Sequence, residues 1–447
     1  MRLKMILQTV KHNRLLLRVP GFLFCMSLFL LSGCSEPAQY RLNLVAVHKV
    51  ELANDSSFES EHQLEPIADI LEAMFGTPDL PQIPPVPGIE DVLDIDKLYM
   101  AAGPYGTDEH GKAQGLYRQH CVHCHGISGD GAGPTAAILN PYPRDYRLGK
   151  FKFKSTASGS KPTHGDLKKT IENGMTGTAM PSFKLLDSDE VEALVHYVKY
   201  LSIRGEVERY LIEDGDQFAE LFTAVFKDHS QLSDDEKEEI DEMSTEEIKE
   251  EQETVDAEIV YLKSQENLVE NVMEFVLSKW IEADDNVLEI KPKPEMNLKE
   301  LEESMANGRK LFFSKDAACS TCHGDTALGD GQTAADFYDD WTEIPGGFYD
   351  PKNPESLPEF LALGALEPRK LRPRNLRQGV YRGGRRPIDI FWRIRNGIDG
   401  SKMPAAKEVA LTDEEVWNLV DFVRSALPYD QLSRPLVHKP ENTKEIN

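Results

Sequence analysis

The sequence predicts a mainly α-helical protein with two homologous domains in tandem, joined by a helical acidic connector. Two five-residue motifs are followed by the same landmarks in the same order, which indicates an internal repeat. Each copy of the repeat closes with an apolar stripe at the helical spacing i, i+3, i+4, i+7. Between the copies, residues 231–260 hold 14 acidic and two basic side chains.

The repeated motifs are Cys121-Val122-His123-Cys124-His125 and Cys319-Ser320-Thr321-Cys322-His323. C-x-x-C-H is the attachment sequence of c-type haem, in which both thiols bond to the porphyrin and the adjacent His ligates the iron. A single C-x-x-C also suits a zinc half-site or a redox dithiol. Two copies that each continue into His-Gly favour haem. We therefore expect two covalently bound haem c groups, with attachment and proximal ligation by Cys121, Cys124, His125, Cys319, Cys322 and His323.

The landmarks behind each haem motif define two domains, residues 105–204 and 303–428. Pro143-Arg144-Asp145 corresponds to Pro373-Arg374-Asn375, and Met180-Pro181 corresponds to Met403-Pro404. A final amphipathic helix is predicted from Asp189 to Leu201 in the first domain and from Glu414 to Ala426 in the second. Thr412 with Glu415 predicts a capping box at the start of the second of these helices.

This order of elements resembles the small all-α monohaem (class I) cytochrome c domain. In that family a helix with an aromatic residue precedes the haem motif, an axial Met lies in a downstream loop, and a C-terminal helix packs across the first helix. Leu116-Tyr117 and Leu311-Phe312 match the aromatic end of the first helix. The resemblance implies two tandem cytochrome c-like helical domains. The segment Phe151 to Thr156 also resembles membrane-bound cytochrome c subunits of respiratory complexes.

The internal repeat selects the sixth iron ligand. Met175, Met180, His164 and His196 are all chemically able to ligate the first iron. When the two repeats are aligned, Met180 is the only one of the four that matches another possible ligand, Met403. Met175 matches Ile398, His164 matches Pro387, and His196 matches Asp421. We therefore expect His125 with Met180, and His323 with Met403, as the metal ligands.

Arg144 and Arg374 occupy matched positions in the repeat. A guanidinium suits the two oxygens of a carboxylate, so each arginine is a candidate to bind a haem propionate. The alternative is a loop arginine in water.

The N-terminal residues 1–33 read as an export signal. A basic stretch without acidic residues precedes an apolar run, Phe22 to Leu31, that is too short to span a bilayer. Leu31-Ser32-Gly33-Cys34 looks like a bacterial lipoprotein cleavage box, which implies lipidation of Cys34. The alternative is an uncleaved signal anchor. Both place the haem domains on the periplasmic side of a bacterial membrane.

The remaining segments carry less information. Residues 34–104 are expected to form an extended Pro-rich tether, with a strand at Arg41 to Leu52 and a helix at Gln63 to Phe75. Residues 205–302 are expected to be the acidic helical connector, although 233–253 alone read as a solvated face. An insertion at 336–366 is a candidate partner contact, and 429–447 reads as a tail.

The net charge of −26 and export from the cytoplasm argue against nucleic acid as a partner. Within this acidic chain, residues 369–386 hold eight basic and no acidic side chains. Such a basic band predicts a docking surface for the acidic connector or for an acidic partner.

One-electron transfer is the expected function, because haem iron cycles between two oxidation states while the protein controls geometry and access. The expected partners are a quinol-oxidising complex or dehydrogenase on one side and a terminal oxidase or another acceptor on the other. No catalytic residue is assigned. The alternatives are a di-haem peroxidase-type enzyme, a haem-bearing subunit of a larger oxidoreductase complex, and a subunit that mainly anchors an assembly.

Overall fold

The computed structural model describes residues 37–54, 57–58, 64–213, 269–331, 338, 355, 357–406 and 411–427. The fold is mainly α-helical. Among these residues, no helix has the length and apolar character needed to cross a membrane. The predictions for 1–33, for Cys34, for most of the connector and for the tail lie outside the described residues, as does most of the insertion at 336–366.

Up to residue 281, the described residues hold eight α-helices and one hairpin. In chain order these elements are α1 (Leu44–Asn54), α2 (Glu65–Phe75), α3 (Ile95–Ala101), strands β1 (Gly106–Thr107) and β2 (Ala113–Gln114), α4 (Leu116–His120), α5 (Val122–His125), α6 (His164–Asn173), α7 (Ser188–Glu213) and α8 (269–281). The two strands are antiparallel, with Gly106 opposite Gln114. The elements share one apolar core.

The second half follows with α9 (Leu298–Phe312), α10 (Cys319–His323), α11 (Leu357–Ala362), α12 (Pro387–Asn396) and α13 (Asp413–Asp421), which continues as a π-helical turn, Phe422–Ala426. Helices α9 and α13 cross at Gly308, where an added Cβ would lie 1.9 Å from the carbonyl oxygen of Asn418. The hydroxyl of Ser304 donates to the Asn418 side chain at 2.7 Å. The capping box of Thr412 and Glu415 is present, as predicted.

Helix α7 in the first domain corresponds to α13 but is much longer, with 26 residues. The sequence predicted its end at Leu201, and the helix instead continues through the expected domain boundary to Glu213. The reason is burial: Ile203, Val207 and Leu211 are fully buried. Both α3 and α4 pack on α7, as α9 packs on α13, so the hairpin β1–β2 interrupts the first helix of this domain.

The prediction of an extended tether over 34–104 is wrong for the described residues. Arg41 to Leu52 was expected as a strand, but α1 begins at Leu44. The apolar residues of α2, Ile67, Leu71 and Phe75, recur at helical spacing and are 0% exposed in the core of the first domain. The beginning of the Pro-rich stretch at 78–87 is held by backbone hydrogen bonds, since Gly103 donates to the carbonyl of Pro78 at 3.0 Å and Gln82 donates to that of Phe75 at 2.8 Å.

The described end of the connector contacts both domains. On α8, Met273 and Val276 are fully buried, and the Trp280 indole donates to Glu206 of α7 at 3.2 Å. The chain then crosses to the second domain, where Trp417 donates its indole N–H to the carbonyl of Lys291 at 2.9 Å. The described end of the connector, from residue 269 onward, therefore packs on both cores.

Candidate functional site

Each haem motif places its histidine in the same environment. Helix α5 ends at His125, and α10 ends at His323. The Nδ1 atom of His125 lies 3.0 Å from the carbonyl oxygen of Arg144, and that of His323 lies 3.1 Å from the carbonyl oxygen of Arg374. A hydrogen bond from Nδ1–H to a carbonyl leaves Nε2 unprotonated, so both rings are held in the tautomer that a metal requires.

The surroundings of the two histidines favour the neutral ring. Burial lowers the pKa of His125 to about 4, against the opposing effect of its hydrogen bond to Arg144. Burial also lowers the pKa of His323. Tyr146 stacks on the His125 ring, with centroids 4.7 Å apart and an interplanar angle of 13°. A neutral, positioned imidazole is the form that ligates iron.

The repeated Gly-Asp-Gly segments position these carbonyls. Asp130 turns back so closely that a Cβ at Gly126 would lie 2.1 Å from its Oδ1, and Asp330 stands in the same relation to Gly324 at 2.0 Å. Behind this turn, the amide of Tyr146 donates to the carbonyl of Gly129 at 2.7 Å. The turn therefore holds the Pro-Arg segment against the histidine.

A cavity in the first domain opens beside these residues. Its wall brings together both motif cysteines, His125 and Met180, as the sequence predicted for one haem site. Most of the remaining lining is apolar or aromatic: Leu139, Pro141, Tyr142, Pro143, Tyr146, Phe151, Phe153, Leu167, Ile171, Phe183, Leu194 and Val198. An apolar wall of this kind suits a large flat macrocycle.

The charged residues in the wall match the acidic groups that haem carries. Arg144, Lys152 and Arg382 line the cavity, and no Asp or Glu is among the described residues that do so. This is notable in a chain with 76 acidic residues. In the second domain, Nη2 of Arg374 is buried without a hydrogen-bond partner among the described residues. The residues of both sites fit haem, because its propionates would be suitable partners for these cationic side chains.

The two Met-Pro loops are built alike. The amide of Met175 donates to the carbonyl of Met180 at 3.1 Å, and the amide of Ile398 donates to that of Met403 at 3.1 Å. In each loop a hydroxyl fixes the turn: Thr178 donates to the carbonyl of Met175, and Ser401 donates to that of Ile398, both at 2.7 Å. The sequence repeat is therefore also a repeat of hydrogen bonds.

The alternative ligands in the first domain are engaged elsewhere. Met175 also lines the cavity, but its Sδ accepts a hydrogen bond from the amide of Gly383 at 3.1 Å. His164 pairs with Glu192, at 2.6 Å between Nε2 and Oε2. Nδ1 of His196 accepts from the amide of Asp94 at 3.2 Å. Neither histidine is in the cavity wall. Met180 and Met403 remain the predicted axial ligands.

The arginines have a role that sequence reasoning missed. Arg144 and Arg374 were selected for their side chains, and their backbone carbonyls are what hold the proximal histidines. The repeated Pro-Arg-(Asp/Asn) segment indicated that this position matters. Because every residue has a backbone carbonyl, the residue types could not show that the carbonyl makes the contact. The side chains of Asp145 and Asn375 cap the short helical turns that follow them. This explains why the third residue of the repeated Pro-Arg-(Asp/Asn) segment is Asp or Asn.

Comparison with known proteins matches two regions. The family described as cytochrome c matches residues 111–202. The family described as cytochrome c oxidase, cbb3-type, subunit III matches residues 303–423. No curated protein matches the chain.

Among solved structures, a chain of the reducing HAO-like protein complex of Kuenenia stuttgartiensis is similar at 23% identity, over 72% of this chain and 97% of that chain, with a TM-score of 0.39. A similarity of that size carries no inference about function. The two family matches coincide with the two structural repeats, each with its own attachment motif and oriented histidine, and this chain is accordingly a c-type cytochrome that holds two haem groups.

Proposed function

We propose that this di-haem cytochrome carries single electrons from a quinol-oxidising complex or a dehydrogenase to a terminal oxidase or another acceptor. Electron transfer by a haem protein follows from the two cytochrome c domains. The donor and the acceptor are the proposal. When bound, haem c supplies an iron that takes up or releases one electron.

The residues of each site have separate tasks. The cysteines of each motif attach the group covalently, which fixes its position and prevents its loss. The carbonyls of Arg144 and Arg374 orient the imidazoles. The apolar wall excludes water, which lessens the solvent rearrangement that accompanies a change of charge. No residue of either site needs to donate or accept a proton for this function.

The observation that carries the proposal is the identical hydrogen bonding of the two Met-Pro loops. Met180 with His125, and Met403 with His323, would hold the haem iron through a thioether and an imidazole, a ligand pair that gives a higher reduction potential than two imidazoles. A di-haem peroxidase-type enzyme needs one accessible iron and a distal acid–base group. The two loops have matched hydrogen bonds and each carries a predicted methionine ligand, which supports the electron carrier over the peroxidase-type enzyme.

An optical redox titration of the full haem-loaded protein, repeated under carbon monoxide, tests this function. We expect two low-spin haems that titrate reversibly and do not bind carbon monoxide. A high-spin haem, or one that binds carbon monoxide stoichiometrically, would favour the peroxidase-type enzyme. Rapid mixing with a reduced cytochrome c or quinol-oxidising complex then measures the electron-transfer rate.

We also propose that lipid on Cys34 holds the protein at the periplasmic side of a bacterial membrane. The support is the Leu31-Ser32-Gly33-Cys34 sequence behind a basic and apolar leader. Two or more acyl chains give the stable anchoring that a single chain does not. Labelling with a radioactive fatty acid should mark the wild-type protein and not C34S, and fractionation should move the haem of C34S from membrane to soluble fractions.

A second candidate is a haem-bearing subunit of a larger oxidoreductase complex. The observation that favours it is the match of residues 303–423 to a family described as an oxidase subunit. In mild detergent, a subunit would migrate on a native gel as a haem-stained band at the mass of an assembly with oxidase activity. A free carrier would migrate near the mass of a single chain.

A further inference from the structure

The two haem domains meet through equivalent segments. In the internal repeat, Gly149 to Lys154 corresponds to Gly379 to Gly384. Phe153 of the first segment lies directly against its own counterpart, Gly383 of the second, where an added Cβ would be 2.6 Å from the Phe153 ring. Contact between equivalent residues is what an approximate two-fold axis produces.

The approximate two-fold axis also relates the contacts that each domain makes with the Met-Pro loop of the other. From the second domain, the amide of Gly383 donates to Met175 in the Met180 loop, and Val380 packs 3.0 Å from the Cβ position of Gly177. From the first domain, the amine of Lys154 lies 2.9 Å from Asp399 in the Met403 loop. Each domain therefore touches the predicted axial-ligand loop of the other.

Arg369 anchors the second domain at the rim of the first cavity. Its guanidinium donates to the carbonyls of Ala137, at 2.8 Å, and Leu139. It also lies 3.6 Å from the ring centroid of Tyr142. Leu139 and Tyr142 are both wall residues. The basic band predicted as a docking surface for the connector or a partner is thus used in part between the two haem domains.

Arg382 belongs to this interface and lines the cavity of the first domain. It comes from the second domain, three residues after Gly379, whereas the other cations of that wall, Arg144 and Lys152, come from the first. Three cations and no acidic residue in the described wall match a bound group with two carboxylates. A guanidinium in a half-buried site is the stronger partner for a carboxylate, because its fork binds both oxygens.

We infer that the second domain completes the first haem site, and that Arg382 binds a propionate of the first haem from across the domain interface. The inference rests on haem attachment at Cys121 and Cys124, which the proposed function also requires. Arg382 is a positioning and tuning residue. Its positive charge favours the reduced iron, which carries one positive charge fewer, so the second domain contributes to the potential of the first haem.

The test is Arg382→Gln, made in a variant in which the two haems have different reduction potentials. Met403→His is expected to give the second haem two imidazole ligands and thus a lower potential than the first. In this background, R382Q should lower the midpoint of the high-potential haem and leave the low-potential midpoint in place. Resonance Raman spectra should show a shifted propionate bending band for one haem. R382K, which keeps the charge but not the fork, should give a smaller shift.

Arg372→Gln is the matched control, because Arg372 is exposed in the same basic band and the change in net charge is the same. It should move neither midpoint. The inference is overturned if R382Q behaves like R372Q, or if R382Q moves the low midpoint instead. If M403H does not separate the two midpoint potentials, R382Q and R372Q are compared in the otherwise wild-type protein, where only R382Q should shift a midpoint. If R382Q overturns the inference but both of its haems still titrate reversibly, the proposed electron-transfer function is not contradicted.

Discussion

The Nδ1 atom of His125 lies 3.0 Å from the carbonyl oxygen of Arg144, a residue 19 positions further along the chain. His323 repeats this relation with Arg374, 51 positions away. The orientation of each proximal histidine therefore depends on a loop that folds back from outside the haem motif. This loop supplies the backbone oxygen for the imidazole, and its arginine side chain is the predicted partner of a haem propionate.

Met180→Leu should create one carbon monoxide-binding haem per molecule, because leucine fills the volume of the thioether without a donor atom. Met175→Leu is the matched control, since Met175 lines the same cavity while its sulfur accepts from Gly383. The measurement is the stoichiometry of the ferrous carbon monoxide spectrum. If M175L gained a binding site and M180L did not, the ligand assignment would be wrong.

Gly174→Ala should displace the Met180 loop. Gly174 has φ of +64°, and an added Cβ would lie 2.3 Å from the carbonyl oxygen of Pro181. Left-handed backbone alone costs a non-glycine residue about 1–2 kcal/mol. Gly111→Ala carries that cost without a clash, since Gly111 has φ of +79° and nothing within 4 Å of the Cβ position. Only G174A should open the first haem to carbon monoxide. Equal spectra for the two variants would contradict this account.

Asp399→Ala should lower the free energy of unfolding by about 3 kcal/mol, because it leaves a buried cation unpaired. The Lys154 side chain is 3% exposed and lies 2.9 Å from Asp399, across the domain interface. Glu303→Ala is the control, since the Lys299–Glu303 pair is 85% and 64% exposed and should contribute less than about 0.5 kcal/mol. Denaturant unfolding measures both. A D399A protein as stable as E303A would show that the domains do not depend on this pair.

Stability should fall as the pH is lowered from about 6.5 to about 4. Burial lowers the pKa of His196 from 6.5 to about 4, with help from Lys199 and His164 and against Asp94 and Glu192. In this window the unfolded chain binds a proton that the folded protein does not, so the free energy of unfolding decreases with falling pH. One such group contributes at most about 1.4 kcal/mol per pH unit.

His196→Gln should reduce this pH dependence, because glutamine can still accept from the amide of Asp94 but does not titrate. His110→Gln is the control, since the His110 side chain is 81% exposed. The readout is denaturant unfolding of the oxidised protein at pH values from 4 to 7. An unchanged slope in H196Q would assign the acid sensitivity to other groups.

Sequence alignment of the two halves was sufficient to identify equivalent positions in the two repeats. The pairing of Met180 with Met403 and of Arg144 with Arg374 came from matched positions, and the structure gives both pairs matched backbone contacts. The extent of α7 and the packing of 34–104 were not predictable in this way. Their apolar residues, such as Ile67 and Leu211, are buried by one another, and a single segment does not reveal its partner.

The two haem groups and their attachment follow from adjacent residues alone, because a C-x-x-C-H motif carries its chemistry within one helical turn. The capping box of Thr412 and the apolar stripes are local in the same sense. The placement of Arg382 at the first cavity is not, since it depends on how two folded surfaces meet. Local covalent geometry decided which group is bound, and long-range packing decided which side chains surround it.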